Sequence, residues 1–147
     1  MPPSAPNSTY KQRLNQTPTN GVWSGSRGES TFTSNNPAVK GQKVNYSNGY
    51  PNFSPFTKHT VHIDDFTNKV INSSGDSRYN LHKEADQILA KKLRVQSSII
   101  KKFRRKQKFT WHEVEDMGTL QLGPTKINSK FGHVGGIAEA TKRGRND

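Results

Sequence analysis

The stretch Lys108-Phe109-Thr110-Trp111-His112-Glu113-Val114, followed by Glu115-Asp116-Met117-Gly118 and then Thr119-Leu120-Gln121-Leu122, decides the reading of this chain. Its first segment is rich in aromatic and β-branched residues, which favour a pleated, half-buried surface. The acidic tetrapeptide ending in glycine is turn-like and the second segment alternates, so the pair predicts a β-hairpin. Gly123-Pro124 ends the hairpin. Pro124 suits the first turn of a helix that runs through Ile127 and Phe131 towards His133. Val134-Gly135-Gly136 closes the element, and residues 108–136 read as a ββα unit.

In such a unit the helix lies across the hairpin. His112 in the first strand, Asn128 in the helix and His133 near the helix end then converge on one metal-sized space. A divalent cation held there by imidazole and amide oxygen would meet a scissile phosphate and stabilise the developing charge, while a nearby base activates water. A strand histidine packed as an ordinary side chain is the competing reading of the same spacing.

Upstream of the hairpin lies the main charge feature. Between Lys91 and Lys108 there are nine Lys or Arg and no acid, and without this stretch the net charge of +12 falls to +3. Basicity this local is the electrostatic footprint of a phosphate-contacting surface. Its candidate contacts are Lys101, Lys102, Arg104, Arg105, Lys106 and Lys108. The same run also reads as a solvated basic helix or a nuclear-localisation cluster. Leu81, Ala85, Ile88, Leu89 and Leu93 share one face at helical spacing, which predicts a helix over Tyr79–Val95. Ile99, Ile100 and Phe103 mark a second, short helix inside the basic run. Thr60 to Asp64 alternates as a strand, and His59 and His62 fall on its opposite faces, which argues against a shared metal site. His82, among polar neighbours, reads as solvated. Trp111 reads as core behind the hairpin, and Glu115 and Asp116 as its turn. Arg27 is a candidate for binding phosphate or for anchoring its own loop.

The remainder is sparse in apolar residues. Leu, Ile, Val and Phe make up about a fifth of the 147 residues, which excludes a large uniform core. No apolar run approaches the length of a membrane span, and the first residues lack the apolar stretch of a secretory signal. Without cysteine there is no disulfide framework and no thiolate metal site, so any metal ligand is His, Asp, Glu or Asn. Residues 1–20, rich in Pro, Ser, Asn and Thr, read as a disordered lead-in or linker. From Gly21 to Pro55, Trp23, Phe32, Tyr46, Tyr50, Phe53 and Phe56 stand among turn residues, implying loops and short strands pinned by single aromatics. The expected fold is small α+β: a loop-rich N-terminal half, one or two additional helices and the ββα unit. Its domain spans 21–140, with a basic tail over 141–147.

Thr110-Trp111-His112, Met117 to Pro124 and Ile127 to Gly136 together resemble the C-terminal signature of the WHH-type nucleases of the HNH/endonuclease VII superfamily. These are small nuclease domains found largely as the toxic tips of bacterial polymorphic and contact-delivered toxins. Gly21 to Ser30, Asn48 to Phe53 and His82 to Ala90 resemble further blocks of the same domains, so the resemblance covers about residues 20–138. It implies a ββα-metal endonuclease hydrolysing phosphodiester bonds, with DNA favoured over RNA. His112 and Glu113 are its catalytic candidates, and His112, Asn128 and His133 its ligands to one divalent metal ion (Mg, Mn, Ni or Zn). Many relatives carry a second histidine at the position of Glu113 and a histidine at that of Asn128. A glutamate can serve as base or ligand. An amide is a poorer ligand than imidazole for zinc, though it suits magnesium.

The resemblance further implies a cognate immunity protein and action in the cytoplasm of a target cell, the domain being secreted as part of a larger protein. No membrane partner is expected. Two rival readings remain at this level: a non-catalytic basic nucleic-acid-binding module with a degenerate ββα site, favoured by Asn128, and a basic RNA-binding protein of ribosomal type.

Overall fold

The computed structural model of the protein describes residues 7–145, with side chains as far as Lys142. A helix α1 (Tyr10–Gln16) leads into strands β1 (Gly21–Trp23), β2 (Thr31–Ser34), β3 (Lys43–Ser47) and β4 (Tyr50–Asn52), which pair in sequence order as an antiparallel sheet. Asn48 and Gly49 join β3 to β4 with both φ angles positive, the two-residue turn whose twist matches a hairpin. Next come β5 (His59–His62), α2 (Phe66–Ile71), α3 (Ser77–Leu93), α4 (Ser97–Gln107), β6 (Phe109–Glu113), β7 (Thr119–Pro124), α5 (Thr125–Lys130) and α6 (Gly136–Arg145). The second sheet is antiparallel in the order β5-β7-β6, with β7 at its centre. The molecule is therefore a small α+β protein. Among the described residues, no helix is long and apolar enough to cross a membrane.

Two apolar clusters hold these layers. The larger joins Val61, Trp111, Leu120 and Leu122 of the second sheet to Phe66 and Val70 of α2, Leu81, Ala85 and Leu89 of α3, and Ile100 of α4. The smaller gathers Phe32, Val44, Tyr46 and Phe53 of the N-terminal half around Ile127 and Phe131. Each fully buried side chain of this size contributes about 1.5–3 kcal/mol. The second cluster thus docks the first sheet onto the α5 region, and so supports the ββα unit from outside.

The hairpin and α3 lie within two residues of the expected bounds. Three expectations change. The lead-in is part of the fold from residue 7, and only residues 1–6 lie outside the described residues. Thr9 and Gln12 form a reciprocal capping box on α1. The backbone N–H groups of Asn7 and Ser8 donate to the fully buried carboxylate of Glu139 (2.8 and 3.0 Å). Arg13, buried, donates to Ser8 O and Asn48 O. Asn48 lies 35 positions from Arg13, and Glu139 more than 130 from Asn7 and Ser8, so composition gives no sign of these partners. Second, most of the expected basic tail is the end of α6, with only residues 146–147 outside the described residues. Third, α5 stops at Lys130, and His133 stands in the connection to α6. That connection passes close to other backbone at two glycines. A Cβ on Gly132 would lie 2.2 Å from the carbonyl oxygen of Gln16, and one on Gly136 2.3 Å from that of Val114.

Candidate active site

Strand alternation sends the side chains of β6 in two directions. His112 turns towards α5, where its Nδ1 lies 3.1 Å from Oδ1 of Asn128. Trp111 and Glu113 turn towards α3. Trp111 is fully buried and its Nε1–H donates to Asp86 at 2.8 Å. Oε1 of Glu113 accepts from Nε of Arg78 at 3.1 Å, and Oε2 from Nε2 of His82 at 2.8 Å. The two directions meet at one end of the unit, in a cleft of about 340 Å³ lined by Arg78, His82, His112, Glu113, Asn128 and His133.

The imidazoles of His112 and His133 stand edge to face, 4.9 Å between centroids, and Phe53 packs edge-on against both, at 4.8 and 5.2 Å. The aromatic of the Asn48–Phe53 block therefore supports both imidazoles. Nδ1–H of His133 donates to the carbonyl of Phe131 at 2.7 Å, which leaves Nε2 with its lone pair. A backbone carbonyl behind one ring nitrogen is the usual support of a metal-ligating histidine.

Burial opposes charge on both rings. It is the largest effect on His112, followed by the neighbouring His133, and together they push the His112 imidazole down to about 3. Burial lowers His133 as well. Both rings are thus neutral near pH 7, the form in which an imidazole binds metal. The Glu113 carboxyl behaves in the opposite way. Burial raises it, but the His82 hydrogen bond, the His82 charge and Arg78 outweigh burial and hold it below its ordinary value.

The three expected ligands come together. Nδ1 of His112 and Oδ1 of Asn128 are separated by 3.1 Å, close to the roughly 3 Å between two ligands about 2.1 Å from a cation at right angles. The donor set of two neutral imidazoles and one amide oxygen therefore fits a divalent ion. Among the described residues, no group of three His, Cys, Asp or Glu could hold a metal ion, so the amide is needed to complete the set. Glu113 has both oxygens engaged away from this point.

His82 is not solvated: its side chain is 13% exposed, and it lies in the cleft because α3 crosses behind β6. Arg78, 68% exposed, lines the same cleft and was not anticipated. The signal for both was the four-residue spacing of Arg78, His82 and Asp86, one stripe of α3 facing β6. Arg27 anchors its own loop, donating to Thr17 Oγ1 and Leu14 O. Asp116 accepts from the N–H groups of Gly118 and Thr119 and closes the hairpin turn. Of the basic run, Lys102, Arg105, Lys106 and Lys108 are exposed and Lys101 is half-buried. Arg104 is 16% exposed and grips Asp86 through Nε and Nη2, at 2.9 and 2.7 Å.

A family model for the DNase/tRNase domain of colicin-like bacteriocins matches residues 43–135, from β3 to the connection that carries His133. The chain belongs to this family. It is thereby a nuclease toxin domain of the bacteriocin type, and the matched segment contains Arg78, His82, His112, Glu113, Asn128 and His133. No curated protein matches the sequence. For a domain of this family the substrate is nucleic acid.

Proposed function

We propose that the protein is a metal-dependent endonuclease of the HNH/WHH type, hydrolysing phosphodiester bonds with DNA favoured over RNA. The observation that carries this reading is the convergence of His112, Asn128 and His133 at the end of a ββα unit, beside an anchored glutamate, in one cleft. His112, Asn128 and His133 would hold one divalent ion, magnesium, manganese, nickel or zinc. Such an ion supplies charge stabilisation at the scissile phosphate and lowers the pKa of bound water. Arg78, fixed to Glu113 through Nε, offers its remaining N–H donors as a guanidinium fork of the kind that recognises phosphate. Phe53 excludes water from the back of the imidazoles. Lys102, Arg105, Lys106 and Lys108 grip the backbone without reading bases, so cleavage has little sequence preference.

In this proposal the domain is the toxic part of a larger secreted protein, as in contact-delivered or polymorphic toxins, and acts in the cytoplasm of a target cell. A cognate immunity protein would be acidic, to cover the cleft or the basic face. The test is digestion of plasmid and of total RNA with each metal or with EDTA. Metal-dependent cutting that disappears in His112→Ala supports the reading and names the polymer. Asn128→His supplies a better ligand for a borderline metal and is expected to raise the rate. An unchanged rate in that variant counts against the ligand set.

A second reading is a non-catalytic nucleic-acid binder, favoured by the amide where an imidazole would bind metal more tightly. It predicts binding that is indifferent to EDTA and a substrate left intact.

A further inference from the structure

The nuclease reading leaves one chemical role without an owner. Glu113 stands where the resemblance expects a second imidazole, yet its two oxygens accept from Arg78 and His82. A carboxylate with a donor on each oxygen is held as the anion and is a poor acceptor for a further proton. His112 directs Nδ1 at Asn128, and His133 directs Nδ1 at the Phe131 carbonyl. Both rings belong to the ligand set. The third imidazole of the cleft is His82. It comes from α3, a different element from the ββα unit, and the proposed ligands do not include it.

The Glu113 bond fixes the state of this ring. A carboxylate can only accept, so Nε2 of His82 carries hydrogen and donates to Oε2, and the lone pair of the neutral ring lies on Nδ1. An anion behind one nitrogen also stabilises the imidazolium that forms when the other takes a proton, as in any base oriented by a carboxylate. Three positions on two elements make the device: Arg78 and His82 one turn apart on α3, and Glu113 at the end of β6 between them. Arg78 shares the load on the carboxylate and fixes its rotamer.

We propose that His82, oriented by Glu113, is the general base of this nuclease. The proposal rests on the nuclease reading. A water proton passes to Nδ1 of His82 while the water oxygen bonds to phosphorus. The bond from phosphorus to the leaving oxygen breaks, and that oxygen takes a proton from solvent. His82 returns its proton to solvent afterwards. His82 is then a catalytic residue, and Glu113 a positioning residue that acts through it.

The experiment compares the unaltered chain with His82→Gln, His82→Ala and Glu113→Gln on whichever polymer the unaltered chain cuts. His82→Gln keeps an N–H donor for Glu113 and has no basic nitrogen. Its melting temperature, its manganese affinity by calorimetry and its affinity for uncleaved polymer in EDTA are read beside kcat. The expected result is a fall in kcat of about 100-fold or more, with metal and polymer affinities within threefold. Glu113→Gln loses rate through the same ring. His82→Ala opens space for a free base, so added imidazole is expected to restore its rate at least tenfold. A structural role would not give that response. A His82→Gln rate within threefold of the unaltered chain overturns the proposal, as does an inactive His82→Ala that ignores imidazole. A His112→Ala variant that cuts like the unaltered chain overturns the nuclease site itself, which separates the two failures.

Discussion

Two carboxylates bridge α3 and the hairpin one helical turn apart, and they are built from nearly the same parts. Asp86 receives the fork of Arg104 and the ring N–H of Trp111. Glu113 receives one N–H of Arg78 and the ring N–H of His82. The difference lies in what the donors are able to do. An indole N–H cannot give up its proton at ordinary pH, and both nitrogens of the fork close on Asp86, so the first cluster is a clamp. An imidazole can release a proton and take it back. Arg78 contributes only Nε and stays 68% exposed, so the second cluster opens into the cleft. One architecture therefore serves rigidity in the middle of α3 and chemistry at its start.

Removing the clamp gives the largest expected effect. Asp86→Ala strips the partner from a guanidinium that is 16% exposed and leaves the Trp111 N–H unpaired. Breaking a buried pair in this way costs about 3–5 kcal/mol. At this chain length that is a drop in melting temperature of roughly 10 °C, measurable by circular dichroism. The matching change in the open cluster, Glu113→Gln, is expected to lower stability less and activity more. A reversed order would remove the distinction between the clusters.

Acid sharpens the comparison. In the metal-free chain the His112 ring is held to about 3 against an ordinary 6.5. The unfolded chain therefore binds more protons below pH 6.5, and stability declines as pH falls from there. Glu113, held below its ordinary 4.5, adds stability that is present above that pH and lost beneath it. Melting temperatures measured across acid pH in EDTA should fall in both windows for the unaltered chain. Glu113→Gln should retain the first decline and fall less steeply than the unaltered chain below pH 4.5, where only the His112 contribution of the two remains.

The smallest effect separates the arginines of α4. Arg105 is exposed, whereas Arg104 is committed to Asp86. Arg105→Ala is expected to reduce the slope of log affinity against log salt by about one contacted phosphate, near 0.9 on duplex DNA. Arg104→Ala should change that slope little and instead lower the melting temperature.

Much of this was legible locally. The hairpin follows from alternation and an acidic turn, α3 from an apolar stripe, and the nearness of His112, Asn128 and His133 from spacing within one ββα unit, because all three depend on residues close together in sequence. The N-terminal segment was not legible. Its order comes from a carboxylate on α6, and a polar stretch carries no mark of a partner more than 130 residues away. His82 was misread for the same reason: its surroundings in sequence are polar, while its partner Glu113 is 31 residues away.

By itself the sequence determined the local elements, the charge of α4 and the identity of the groups able to bind metal or phosphate. These follow from side-chain chemistry and the periods of helix and strand. Only the tertiary structure decided which polar groups are occupied and which are free. It closed Arg104 on Asp86, engaged both oxygens of Glu113 and turned His82 inward, because burial makes every polar group find a partner and packing alone determines which partner is within reach.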